Sequence, residues 1–322
     1  MRTRACHFER NHRIRPRTGG TPPPPPDVST LLRSAGYNRH GPAAFTLIEL
    51  LVVIAVIALL MAILLPVLGR VRKQARALAC QSNLRQWSIV LQTYAAANDG
   101  KLAPGWWWPY SGPVPFQYWS TAYPQDCNEI WLCPSARRPA DRGIPPGVDP
   151  GTVYSRWLGS PTRAWKTNWL FPYDHERTFT GNYGVNQHIA ADPSRQYKAA
   201  WQTPDAKGAS RAPTFFDCAA PWFGARSAGP FYDERAGLGP PPEYTDFSLK
   251  PRKDEPTYWV CMDRHTGGIN MAFLDGSVRK VDLKELWTLK WHQRYNTANR
   301  WTTAGGVRPK DWPQWMRRFK NY

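Results

Sequence analysis

The stretch GPAAFTLIELLVVIAVIALLMAILLPVLGRVRKQ occupies residues 41–74. From 47 to 68 it is apolar enough to lie in hydrocarbon, yet Glu49 stands inside that run. An ionisable side chain at bilayer depth costs about 3 kcal/mol or more, so this carboxylate needs a partner. Residues 50–69 are uncharged and long enough to span a bilayer, and they do not end in the small-residue cut site of a secretory signal peptide. Arg33 and Arg39 precede the run and Arg70, Arg72, Lys73 and Arg76 follow it. Basic charge on both flanks leaves orientation open.

Beyond the apolar run the helical pattern continues. Ala77, Cys80, Leu84, Trp87, Leu91 and Tyr94 recur at alternating spacings of three and four, which predicts one apolar stripe on one helix face. Asn98, Asp99 and Gly100 supply a stop. The spacing therefore predicts a helix over 45–98, half membrane span and half amphipathic spine, bent near the interface by Pro66.

The segment AFTLIELLVVIAVIALLMAILLP resembles the N-terminal segment of type IV pilins and of the pseudopilins of type II secretion. The resemblance implies that a prepilin peptidase cuts between Ala44 and Phe45 and methylates the new amine. Glu49 is then the fifth residue of the mature chain and Pro66 the twenty-second. Ala44 stands where that family usually has Gly, and the leader, 1–44, is longer than is common there. In such filaments the carboxylate of one subunit pairs with the amine of its neighbour, which here implies Phe45 and Glu49 as the assembly residues. Opposite charges attract strongly in hydrocarbon, where each alone is costly. The plainer alternative is an ordinary anchor whose Glu49 snorkels to the interface.

The leader carries eight Arg against two acids and the proline run 22–26, so it is a low-complexity basic arm. The whole chain has a formal charge of +18, and eleven Lys or Arg against three acids fall within 277–322. That end suits an anionic surface such as lipid headgroups. No nucleic-acid recognition motif accompanies the charge, and nucleic acid is not expected as a partner. Cys80, Cys127, Cys133, Cys218 and Cys261 follow the leader's Cys6. One or two disulfides in an oxidising compartment and buried free thiols are both open readings.

From 102 to 161 there are eleven Pro, which excludes long helices. Short strands and loops under aromatic side chains are expected throughout an outer domain, 99–259, with EIWLCPSARR, GNYGVNQHIA and APTFFDC as strand or turn pieces. In 260–283, Asp275 and Gly276 separate two alternating runs and predict a tight hairpin. His265, nine intervening residues, then Asp275 and Gly276 resemble the processing-associated C-terminal signature of large pseudopilin-like proteins abundant in planctomycete-type bacteria, and SNLRQ and LWTLKWH are similar pieces. Asp275 and Gly276 suit a left-handed turn, and His265 is read as a structural hydrogen-bonding residue rather than a metal ligand or acid-base group. Residues 284–322 are expected to form a basic, Trp-rich tail.

The expected fold class is thus α+β, with a long N-terminal helix packed on a C-terminal antiparallel β-sheet domain, pilin-like. No catalytic template is present: GxSxG, HExxH, the P-loop and the dinucleotide turn are all missing. His175, His188, His265 and His292 show no zinc spacing. Asp217, Asp263 and Asp275 could meet around a hard cation, but their spacing does not show it, so neither metal nor cofactor is assigned. The chain is read as an assembly protein and not an enzyme. It would be a prepilin-like subunit of a type II secretion pseudopilus or type IV pilus-like filament, with the prepilin peptidase, other pilin or pseudopilin subunits and inner-membrane lipids as partners. A single pass through the inner membrane would leave the C-terminal domain periplasmic or extracellular. The competing class is a membrane-anchored binding module in which exposed Trp stack on cell-surface polysaccharide.

Overall fold

The helix begins where Thr46 and Glu49 cap it. The computed structural model of the chain describes residues 46–102, 130–136, 138–139, 156–157, 159–167, 179–186, 188–189, 199–220, 222–223, 238–243 and 257–322. The leader, with the processing pair Ala44 and Phe45, lies outside these residues. Helix α1 (Leu47–Ala97) runs as one element through Pro66. Its stop is the one the sequence predicts. Asp99 and Gly100 take φ of 54° and 73°, and the Gly100 N–H reaches back to the Ala95 carbonyl at 2.9 Å, satisfying an orphan acceptor of the last turn.

The chain divides into two compact units, Met1–Met61 and Ala62–Tyr322. In the first, every large apolar side chain of α1 is exposed. In the second, the continuous exposed apolar surface of the helix runs to Leu68, and beyond it, with Val71, Leu78 and Ile89 still exposed, a buried stripe of Cys80, Leu84, Trp87, Leu91 and Ala95 forms on one face. Ala77 and Tyr94, expected in the stripe, are half-buried. Ala95 replaces Tyr94 as its last member because the face drifts when spacings of three and four alternate.

Among the described residues of the second unit, two sheets follow the helix. In the smaller one, β3 (Arg163–Thr167) pairs parallel with β1 (Arg138–Pro139) and antiparallel with β2 (Arg156–Trp157) and β4 (Phe179–Gly181). The larger runs β7-β5-β6-β8-β9, from β5 (Tyr183–Asn186), β6 (Pro213–Asp217), β7 (Trp222–Phe223), β8 (Gly268–Phe273) and β9 (Val278–Asp282). Its pairs are antiparallel except β5 with β7.

Strands β6 and β8 are buried along their whole length, which is the pattern of strands covered on both faces. Phe215, Ala272 and Leu274 pack with the stripe of α1. Phe216, Ile269, Met271 and Phe273 point the other way, into a core with Leu286, Trp287, Trp291, Trp312 and Met316. Residues 284–322 are therefore not a tail but the outer covering layer of the sheet. Their Trp are anchored inside while most of their charges face out, and even Lys284 is buried, its Nζ donating to the Phe319 carbonyl at 2.9 Å and to Asn321 Oδ1 at 2.7 Å.

The Asp275-Gly276 hairpin forms between β8 and β9 as expected. Gly276 has φ of 86°, and Asp275 Oδ1 accepts from the Ser277 N–H and hydroxyl at 2.9 and 2.7 Å. Helix α1 grips this turn from outside: Arg85 Nη1 donates to the Gly276 carbonyl at 2.9 Å and Gln92 Nε2 to the Leu274 carbonyl at 2.7 Å. A Cβ at position 276 meets only ordinary contacts, so conformation alone penalises a side chain there. Gly276→Val should lower the unfolding free energy of the detergent-solubilised chain by about 1–2 kcal/mol, measured by chemical denaturation, while membrane insertion stays unchanged. An unaltered midpoint would mean that the turn does not carry the left-handed residue described.

Candidate functional site

Two places concentrate polar groups where apolar ones would be expected. The first is the start of α1. The Thr46 N–H and hydroxyl both donate to Glu49 Oε2 at 2.8 Å, and the Glu49 N–H donates to Thr46 Oγ1 at 3.2 Å. This is a reciprocal capping box, in which two orphan donors of the first helical turn are satisfied. Glu49 therefore has a local partner within its own chain. The sequence signal for it is Thr-x-x-Glu at 46–49, directly ahead of the apolar run.

The second lies deep in the larger unit. Asp217 ends β6 and has no exposed surface. Arg264 Nη1 donates to its Oδ1 at 2.9 Å, His265 Nε2 lies 3.0 Å from its Oδ2, and the Asn270 N–H donates to the same oxygen at 2.9 Å. Two thiols complete the group. Cys133 Sγ is 3.4 Å from His265 Nε2, Cys80 Sγ lies 3.6 Å from Asp217 Oδ2, and the Tyr183 hydroxyl donates to Cys80 Sγ at 3.4 Å.

Each member is held by a different element. Cys80 belongs to the buried stripe of α1. Cys133 sits in the loop 130–136, which α1 fixes through Asn83 Nδ2 to the Leu132 carbonyl at 3.1 Å and Trp87 Nε1 to the Ile130 carbonyl at 3.0 Å. Asn182, between β4 and β5, accepts the Cys133 N–H on its Oδ1 at 2.8 Å and donates to the Ala136 carbonyl at 3.0 Å. Arg264 reaches further, with Nη1 to the Asn182 carbonyl at 2.9 Å and Nη2 to the Ser160 carbonyl at 2.8 Å.

Burial opposes ionisation of Asp217, but the neighbouring His265 and Arg264 charges and the donors aimed at it outweigh that and hold its carboxyl well below the usual range. Burial likewise disfavours imidazolium, yet the Asp217 carboxylate raises His265 to about 9. Cys133 is pushed up by burial and brought down, chiefly by hydrogen bonds from Cys80 and His265, to about 6. Burial pushes Cys218 up to about 12 and Cys261 higher still, so these thiols are inert. A thiol beside an imidazole backed by a carboxylate is the parts list of nucleophilic catalysis. Here Cys133 is fully buried and His265 nearly so, and no substrate could approach.

The sequence singled out His265 and, separately, Asp217, but neither their pairing nor the roles of Arg264, Cys80 and Cys133. Asp263 and Asp275 do not join Asp217 around a cation: Asp263 accepts the Gly267 N–H and pairs with Arg318, and Asp275 stays in its turn. Cys80, Cys133, Cys218 and Cys261 are free thiols. Removing Arg264 would leave a buried carboxylate and two buried carbonyls short of a donor. Arg264→Leu should destabilise the full chain by about 3–5 kcal/mol, whereas Arg318→Ala, at the exposed pair with Asp263, should cost under about 1 kcal/mol. Thermal unfolding in detergent compares the two, and similar losses would show that the Asp217 network is not a special point of stability.

Among the described residues one helix, α1, is long and apolar enough to cross a membrane. No curated protein and no solved structure matches the chain. Residues 39–65 match a family model, the prokaryotic N-terminal methylation motif. That match, laid over the capped apolar start of α1, supports a type IV pilin-like protein carrying a prepilin segment.

Proposed function

We propose that the chain is a prepilin-like subunit, cut between Ala44 and Phe45, N-methylated by a prepilin peptidase, and assembled with other pilin or pseudopilin subunits into a pseudopilus or pilus-like filament. The observation that carries this reading is the methylation motif at 39–65 over a helix whose large apolar side chains from Leu47 to Leu68 are 43–88% exposed. Such a surface needs lipid or other helices to cover it. Its mature form would be a single-pass inner-membrane protein with the sheet domain periplasmic or extracellular, structural rather than enzymatic.

A Trp-lined carbohydrate platform gains little support. Of the ten Trp whose side chains are described, seven are buried and three half-buried, so these serve the core. The aromatic cluster of 106–119 lies outside the described residues.

Mass spectrometry of the membrane-extracted protein should find N-methyl-Phe45 as the first residue, and an intact leader in cells with active prepilin peptidase would overturn the assignment. Assembly is tested separately with Glu49→Leu, Glu49→Asp and Thr46→Ala. Glu49→Leu keeps insertion and cleavage but loses both the cap and the partner of the neighbour's amine, and an unpaired buried charge costs about 3–5 kcal/mol. Thr46→Ala loses only the cap, about 1 kcal/mol. Subunit crosslinking should therefore fall steeply for Glu49→Leu, partly for Glu49→Asp and little for Thr46→Ala. Equal crosslinking by Glu49→Leu and wild type would remove Glu49 from assembly.

A further inference from the structure

The buried group at the helix-sheet junction has a composition that hydrogen bonding alone does not require. Cys80, Cys133, Asp217 and His265 each offer one donor atom, and these four atoms lie within 4.8 Å of one another. The closest approaches between them are 3.0 Å (His265 Nε2 to Asp217 Oδ2), 3.4 Å (Cys133 Sγ to His265 Nε2) and 3.6 Å (Cys80 Sγ to Asp217 Oδ2). A tetrahedral ion with sulfur ligands at about 2.3 Å and nitrogen or oxygen ligands at about 2.0–2.1 Å has ligand-to-ligand edges of about 3.3–3.8 Å. Two of these approaches fall within that range, the His265-Asp217 edge is shorter, and the remaining edges lie within 4.8 Å, so the four donors enclose a space of the size a four-coordinate ion needs.

From this geometry we propose that Cys80, Cys133, Asp217 and His265 form a structural zinc site that fastens the spine helix to the sheet domain. Two sulfurs and an imidazole select a borderline-soft ion and disfavour calcium or magnesium, which take oxygen shells. Four protein ligands and complete burial leave no open position for substrate, which makes the site structural rather than catalytic. Charge agrees. Two thiolates and one carboxylate around Zn²⁺ leave a single negative charge, and Arg264 on Asp217 Oδ1 cancels it. The outer contacts are those that orient ligands: Arg264 and the Asn270 N–H fix the carboxylate, the Tyr183 hydroxyl addresses Cys80, and Asn182 holds the Cys133 backbone. The ligands come from α1, the 130–136 loop, β6 and the segment before β8, so one ion would cross-link four pieces of chain far apart in sequence.

The test uses the full chain, purified in detergent without chelator and dialysed against Zn²⁺. Elemental analysis should find about one zinc per chain. Replacement by Co²⁺ should give the visible bands of a tetrahedral ion together with thiolate-to-cobalt charge-transfer absorption in the near ultraviolet. Cys80→Ser and Cys133→Ser should each lose that charge-transfer intensity and most of the metal, while Cys261→Ala, a buried thiol outside the group, retains both. Because the wild type itself is assayed, a variant that fails to fold does not rescue the idea. Zinc no higher than in a buffer blank for wild type, or mass mapping that finds Cys80 and Cys133 joined as a disulfide, would overturn it.

Discussion

An ionised carboxylate with no exposed surface can stand in a protein core only if its neighbours replace the water it gave up. Asp217 is that constraint here, and much of the larger unit is arranged to meet it. Arg264 answers its charge, and the same guanidinium takes the Asn182 and Ser160 carbonyls. Ser160 bridges to Arg163 of the smaller sheet, so one cation links that sheet to the central strand of the larger. Asn270 donates its N–H to Asp217 and exchanges side-chain bonds with α1, accepting from Gln81 at 3.0 Å and donating to the Ala77 carbonyl at 3.0 Å. A charge at the end of one strand thereby sets the register between helix, loop and two sheets.

The same helix lies against both His265 and the Asp275-Gly276 turn. His265 lies at the depth of Cys80, while the turn beyond β8 lies against Arg85 and Gln92 further along α1. The strand from Asn270 to Leu274 advances about 13 Å at 3.3 Å per residue, and the helix from Gln81 to Gln92 about 16 Å at 1.5 Å per residue. The two elements run side by side over nearly equal distances, and long side chains absorb the difference. Both anchor points are hydrogen bonds to backbone carbonyls or a buried charge, so they fix position along the helix in a way that the apolar stripe, which can slide by a turn, does not.

What the sequence disclosed follows from how local each signal is. The stripe from Cys80 to Leu91, the stop at Asp99 and Gly100, and the hairpin at Gly276 depend on neighbours a few residues away, and all were legible. The covering layer was less so, because 284–322 shows its charges in sequence and hides its Trp only in three dimensions. The buried group was legible only as isolated residues, His265 and Asp217, and never as a group. Its four members are separated by about fifty residues or more at every step, and no spacing motif survives that. One trace existed: β6 is apolar to its end and then carries Asp217, and a charge closing a fully buried strand demands a buried partner. His265 was visible only through a resemblance, which gave its position without its neighbours.

At the start of α1 the carboxylate in the apolar run meets the same constraint in a different solvent. Glu49 places both of its Thr46 hydrogen bonds on Oε2, so Oε1 keeps its capacity to accept from another donor. The cap and an intersubunit ion pair therefore need not compete for the same lone pairs. The cap instead narrows the conformations of the side chain before any neighbour arrives, which lowers the entropy that pairing must overcome. The helix dipole adds partial positive charge at the same point. In that arrangement a carboxylate costly in hydrocarbon is carried there half-satisfied by its own helix, and in the proposed filament a second donor from an adjacent subunit would complete what the chain alone supplies in part.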